Sequence, residues 1–320
     1  MQGGRSVTGA VVVLTGASSG IGRATARIFA EQGAHLVLAA RSDENLQEVE
    51  DECRERGARV ISVTTDVGDE AQVTELMRSA VAEFGRIDIC VINASVYGYG
   101  SFEATPSDVF RRIIETNLLG AVNTARQALP AMRKQGAGSL IFIGSVYSRI
   151  TSPYVSAYVT SKFGLYGFVR VLRQELRKAR NIHVSMVLPA TIDTPIYQHA
   201  ANYTRHNVHP LPPVVHPERV AQAILRTAQS GRATTIVGAV QRTFIPLHAL
   251  LPRVYDACVG PLMNLVALRR GRVAAHPGTV FAPNPGANGI TGGWGKLGRL
   301  HRSTPPTHKD PLPTKTKEQE

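Results

Sequence analysis

The chain has 320 residues, 43% hydrophobic and 19% charged, a balance that excludes an intrinsically disordered polypeptide and allows a core of full domain size. Its net charge of +12 raises an anionic partner, but nine Lys and Arg against three acids fall between Arg269 and Glu320, so half of the excess sits in the last 52 residues and the body is only mildly basic. Three scattered cysteines, Cys53, Cys90 and Cys258, exclude a disulfide framework or zinc site and fit a reducing cytoplasm, while prolines and charges break the apolar stretch Thr243–Leu268 too often for a membrane-spanning helix.

From Ala10 onward, short β-branched runs alternate with longer helical patterns. The expected strands are 10–14, 35–40, 59–65, 87–92, 139–143, 183–188 and 234–237. The expected helices are 21–32, 44–56, 70–84, 106–133, 157–179 and 217–228. This alternation predicts right-handed βαβ crossovers and an α/β fold: a doubly wound, seven-stranded parallel sheet of Rossmann type, covered on both faces. Residues 1–240 form this domain. Residues 241–274 form a helical extension, broken near Pro252 and Gly260, that serves as a lid, an interface or a membrane-surface segment. Residues 275–320, with seven prolines between His276 and Pro313, are predicted to be a disordered basic tail.

The first strand leads into Thr15-Gly16-Ala17-Ser18-Ser19-Gly20-Ile21-Gly22, and a helix follows. Gly16 permits a tight turn, Gly20 lets the backbone approach an anion, and Gly22 removes a side chain where helix meets strand. The free N–H groups of the helix N-terminus then face a pyrophosphate. Further along, Tyr158 and Lys162 stand four apart and so on one helix face, and Tyr158 alone among nine tyrosines has Lys at that spacing. A fixed ammonium beside a phenol brings its pKa toward neutrality, which suits a general acid/base.

The TGxxxGxG loop and the YxxxK pair resemble the short-chain dehydrogenase/reductase family over about residues 8–238. The resemblance implies an oxidoreductase that moves a hydride between a nicotinamide cofactor and a carbonyl or alcohol carbon. Tyr158 is then the acid/base, Ser145 holds the substrate oxygen, Lys162 bonds the nicotinamide ribose and tunes Tyr158, and Asn117 completes a proton relay. The loop residues Gly16, Ser18, Ser19, Gly20, Ile21 and Gly22 hold the cofactor, with Asp66 and Val67 at the adenine, Asn93 near the ribose, and Ile192 and Thr194 near the nicotinamide and pyrophosphate.

At the end of the second strand Ala40 stands where NAD-preferring relatives carry Asp, and Arg41 follows. A guanidinium there favours a 2′-phosphate, so NADP (NADPH) is the expected cofactor. Asp66 reads equally as a helix N-cap, with Asp69 competing for that role. Two stretches depart from the family pattern: Ile92-Asn93-Ala94-Ser95 for NNAG, and Ala190 for the Gly of PGxxxTP, where a required positive φ would make Ala mildly costly; neither touches the acid/base set, and activity is expected to survive both.

Tyr97, Tyr99, Tyr154, Ile196, Tyr197 and Tyr203 suggest an aromatic-lined, fairly apolar pocket for a small-molecule ketone, aldehyde or alcohol. The resemblance also implies a homodimer or homotetramer through the helices at 106–133 and 157–179. No metal cluster, nucleic-acid module or aromatic-interleaved basic patch is visible. A protein of another class, a catalytically silent NADP(H)-binding sensor or assembly partner, would use the same loop without needing Asn117, Ser145, Tyr158 and Lys162.

Overall fold

The computed structural model describes residues 5–284, 286 and 288–296. Seven parallel strands, β1 (Val11–Thr15), β2 (His35–Ala40), β3 (Val60–Thr64), β4 (Ile89–Ile92), β5 (Gly138–Ile143), β6 (Ile182–Pro189) and β7 (Thr234–Val237), lie in the order β7-β6-β5-β4-β1-β2-β3. Each agrees with its expected strand to within two residues at either end.

Because side chains alternate along a strand, one sheet carries two cores. Val12, Leu14, Leu36 and Leu38 pack with Phe29 of α1 (Gly20–Glu31) and Ile224 of α7 (Pro217–Ser230). Val11, Val13 and Val37 pack the other way. Their partners are Leu76 of α3 (Glu70–Phe84), Met132 of α5 (Gly120–Gln135) and Leu165 of α6 (Ser156–Glu175). These side chains are at most 1% exposed, and each contributes about 1.5–3 kcal/mol by leaving water.

Helix α2 (Asp43–Glu55) matches its prediction closely, but the long helix expected at 106–133 is interrupted. It runs as α4 (Ser107–Ile114), a π-turn (Glu115–Leu119) and α5. Two contacts account for the extra residue. Asn117 turns inward to bond Val96, and Gly120, lacking a side chain, accepts Val67 in close contact. Single π-turns of this kind are common at functional sites.

After β7 come α8 (Ala239–Arg242), α9 (Phe244–Leu250) and α10 (Pro252–Leu262), the break falling at Leu251–Pro252 as expected. Leu268–Arg272 then forms a short strand antiparallel to His206–Val208, where more helix was expected. Among the described residues no helix is long and apolar enough to cross a membrane.

The expectation of disorder from residue 275 does not hold for the described part of that segment. His276 exchanges backbone hydrogen bonds of 2.8 and 3.1 Å with Asn202, Thr279 donates to the His199 carbonyl at 2.9 Å, and Val280 is fully buried. A Pro- and Gly-rich segment cannot build its own core, but here its backbone groups find partners on the domain. Residues 297–320 of the expected tail lie outside the described residues.

Candidate active site

In the strand order the chain crosses from β3 at the sheet edge to β4 beside β1, which opens a crevice at the C-terminal ends of β1 and β4. The glycine loop stands there. Gly16 and Gly20 have φ of +67° and +53°, in the left-handed region that only glycine enters freely. A side chain at Gly16 would strike Ala94 and Asn93, and one at Gly22 would strike the Gly16 carbonyl. Ser19 occupies the N-cap of α1, yet its hydroxyl makes no cap bond, which leaves it for a ligand.

Ser18, Ile21, Asp66, Val67, Asn93 and Thr194 line the same cleft, whereas Ile192 is buried beneath it. Asn93 donates to the carbonyls of Thr15 (3.1 Å) and Gly16 (3.0 Å), tying β4 to the loop. Asp69, not Asp66, caps α3, accepting from Ala71 at 2.9 Å and Gln72 at 3.3 Å. Asp66 instead pairs with Arg112 and accepts from Gly68 at 2.9 Å.

Tyr158, Ser145 and Lys162 converge at the ends of β5 and α6, all buried. Burial pushes the Tyr158 phenol above its ordinary pKa, and the neighbouring Ser145 and Ser95 hydroxyls oppose that only in part. Lys162 donates to the Ile143 carbonyl at 3.1 Å, and its Nζ lies 5.4 Å from the centre of the Tyr158 ring. Burial also pushes the Lys162 amine down to about 7. The anticipated lowering of the phenol by a neighbouring ammonium is therefore not what dominates here. Desolvation drives both groups toward their neutral forms.

Asn117 is 1% exposed, and its carboxamide is fully engaged. It accepts from the Val96 N–H at 2.8 Å and donates to the Val96 carbonyl at 2.9 Å and to Ser161 at 3.2 Å, latching the segment after β4 to α6.

The aromatic residues assemble around Tyr158. The Tyr97 ring centre lies 4.2 Å from that of Tyr158, and Tyr97 also meets Tyr99 at 4.9 Å and Tyr197 at 5.8 Å. Tyr154 and Ile196 join this cluster, while Tyr203 packs elsewhere, with Val96 and Phe110. Tyr147, edge-on to Tyr158 at 6.2 Å, completes the cage and had no motif to announce it beyond its place two residues after Ser145. Met263 and Ala267 of the C-terminal extension close the cluster. Tyr154 itself has φ of 67°, a strained backbone at the rim of the site.

Arg41 lies at the cleft as expected, but its guanidinium donates to the backbone carbonyls of Thr279 (2.6 Å) and Val280 (3.1 Å). Burial lowers its pKa, with Asp66 opposing and Arg112 adding to the effect. Ala190 is free of the cost expected of it, since it is absent from the positive-φ residues and donates to Val237 at 2.8 Å.

The family model for short chain dehydrogenases matches residues 10–204. An uncharacterized oxidoreductase of Bacillus subtilis, YxnA, is 37% identical over 257 residues, covering 79% of this chain and 72% of its own. Among solved structures, a short-chain dehydrogenase/reductase from Burkholderia phymatum in complex with NAD aligns with a TM-score of 0.71 at 25% identity, covering 78% of this chain and 96% of that one. An alcohol dehydrogenase from the archaeon Thermococcus sibiricus, complexed with 5-hydroxy-NADP, aligns with a TM-score of 0.64 at 27% identity, over 72% and 97%.

The chain belongs to the short-chain dehydrogenase/reductase family, and with it to the oxidoreductases that act on CH–OH and carbonyl groups. The family uses NAD(P), and the residues present fit such a dinucleotide. Two glycines give the loop the left-handed turn that a pyrophosphate site needs, the Ser19 hydroxyl is unspent, and the Thr116 hydroxyl is buried at the cleft wall without a hydrogen-bond partner.

Proposed function

We propose that the protein is an NADP(H)-dependent reductase that interconverts a bulky, fairly apolar carbonyl compound and its alcohol, with Tyr158 as the general acid/base. The observation that carries this reading is the buried Tyr158 phenol, enclosed by Tyr97, Tyr147 and Tyr197 with the buried Ser145 hydroxyl beside it. The bound nicotinamide supplies the hydride. Everything else falls to the chain: Ser145 holds the substrate oxygen, Tyr158 delivers a proton to it, and Lys162 holds the ribose. A phenol whose pKa burial has raised keeps its proton at neutral pH, which suits donation in the reducing direction. The tyrosine cage excludes water and favours an aromatic or alicyclic substrate.

NADP over NAD is supported by Ala40, which offers no carboxylate to a ribose 2′-hydroxyl, and by Arg41 within the cleft. Pairing of two copies is supported by Leu119 beside α5 and by Phe163 and Val171 on α6, all exposed apolar residues on the helices expected to meet.

Fluorescence titration with NADPH and NADH, followed by a panel of aryl and cycloalkyl ketones added to the bound form, tests the proposal. NADPH is expected to bind at least tenfold tighter and to be oxidised by members of the panel, and Arg41→Ala is expected to remove that preference. Tighter binding of NADH would overturn the cofactor assignment. Tight NADPH binding without oxidation across the panel would favour the silent sensor.

A further inference from the structure

The described residues between His276 and Gly295 lie along the mouth of the dinucleotide cleft, and they engage Arg41 and the glycine loop, which the cofactor reading assigns to phosphates. Both terminal nitrogens of Arg41 donate to their carbonyls, at Thr279 and Val280. The Gly20 N–H, at the start of α1, donates to the Gly289 carbonyl at 3.0 Å, and Arg23 donates to Asn288 at 3.0 Å. Next to Thr194 the segment is clamped. The Asp193 carboxylate accepts backbone N–H groups from Gly292 (3.0 Å), Trp294 (2.8 Å) and Gly295 (3.1 Å). The Trp294 indole donates to the Thr194 carbonyl at 3.1 Å, and its ring stands edge-on to Tyr197 and His209. The space left in the cleft is about 180 Å³, walled in part by Thr279, Pro283 and Asn284. Pockets for drug-sized ligands commonly hold roughly 300–1,000 Å³, and a dinucleotide is larger than those ligands.

We infer that this segment is an autoinhibitory strap. Its carbonyl oxygens occupy Arg41 and the Gly20 N–H, and a dinucleotide enters by displacing it. The inference rests on the proposed cofactor reading. A phosphate offers a guanidinium a bidentate, oppositely charged partner where the strap offers neutral carbonyls, so the ligand wins the exchange. The closed strap nonetheless lowers the apparent affinity by the fraction of chains that are open. The cost falls on both dinucleotides alike, and Arg41, once released, is free to hold a 2′-phosphate.

Trp294 is the chain's single tryptophan and reports the strap directly. Saturation with NADP⁺, followed in parallel by calorimetry, is expected to shift its emission to longer wavelength as the ring leaves Tyr197 for water. Gly292→Ala, outside the cofactor-binding residues, puts a methyl group against the Thr194 carbonyl and the Trp294 ring. It is expected to show red-shifted emission without ligand, to bind NADP⁺ roughly tenfold tighter with faster association, and to gain affinity for NAD⁺ by the same factor. If Gly292→Ala does not fold, Gly278→Ala loosens the other end, where φ is +55° and a methyl group would meet the His199 carbonyl. Unchanged emission at calorimetric saturation, or equal or weaker binding by the loosened variant, would overturn the strap and make the segment a fixed wall. A shift produced by NAD⁺ in preference to NADP⁺ would leave the strap standing and sink the cofactor assignment. Binding of neither dinucleotide to either protein would sink both.

Discussion

Tyr158→Phe is expected to lower the turnover of a confirmed ketone by roughly 10²–10⁴-fold, the usual worth of a positioned general acid, while NADPH binds with little change in affinity. The substitution removes one oxygen and leaves the ring that packs on Tyr97 at 4.2 Å and beside Tyr147, so the cage keeps its shape. What disappears is the hydroxyl beside Ser145 and the proton that burial holds on it. Steady-state kinetics with a parallel binding titration separates the two effects. Equal losses in kcat and kcat/KM mark an interaction made in the transition state. Turnover within a factor of about three of the parent would place the proton donor elsewhere.

Lys162→Met is expected to cost a comparable share of activity and yet to stabilise the chain at low pH. Lys162 is 2% exposed, and burial has pushed its pKa down to about 7, against 10.5 for the free side chain. Below pH 7 the amine is protonated in both folded and unfolded chains, and the folded chain bears the full cost of a desolvated charge. Between about pH 7 and 10.5 the unfolded chain binds more protons, so stability rises with pH and the cost fades. Met fills similar volume with no charge, although it leaves the Ile143 carbonyl without its 3.1 Å donor. The net gain at pH 6 is on the order of 3 kcal/mol, equivalent to roughly 5 °C in melting temperature, and it shrinks toward pH 10. Thermal melts of both proteins across this range check the sign. A variant less stable at pH 6, or an advantage independent of pH, would mean that Lys162 is not desolvated as the structure shows.

Those two residues were legible in the sequence because their signal is local. A four-residue spacing on a helix and a serine at a strand end survive any uncertainty about packing, just as the seven strands follow from runs such as VVVLT and HLVLAA that only a doubly covered sheet can bury. Contacts between distant segments were not legible. The π-turn that breaks the long helix depends on Asn117 meeting Val96, 21 residues away, and periodicity alone reads straight through it. Tyr147 enters the cage only because its short 3₁₀ turn brings it beside α6.

The strap escaped for a related reason. Composition measures apolar area, and this segment is held mainly by backbone hydrogen bonds to Asp193, His199 and Asn202, which composition does not count. Arg41 illustrates the same gap. Its place at the end of β2 was readable, but its partners lie 238 and 239 residues onward. At Ala190 the mild cost that a positive φ would bring does not arise, because the backbone there is not in that region.

Hydride transfer to a carbonyl carbon beside Tyr158 is the central claim, and isotope transfer tests it most directly. NADPH carrying two deuterium atoms at C4 of the nicotinamide, incubated with a ketone from the reactive panel, is expected to yield an alcohol with one deuterium on the carbinol carbon, and Tyr158→Phe is expected to suppress that product. Consumption of the deuterated NADPH with no deuterium in the alcohol would contradict the account.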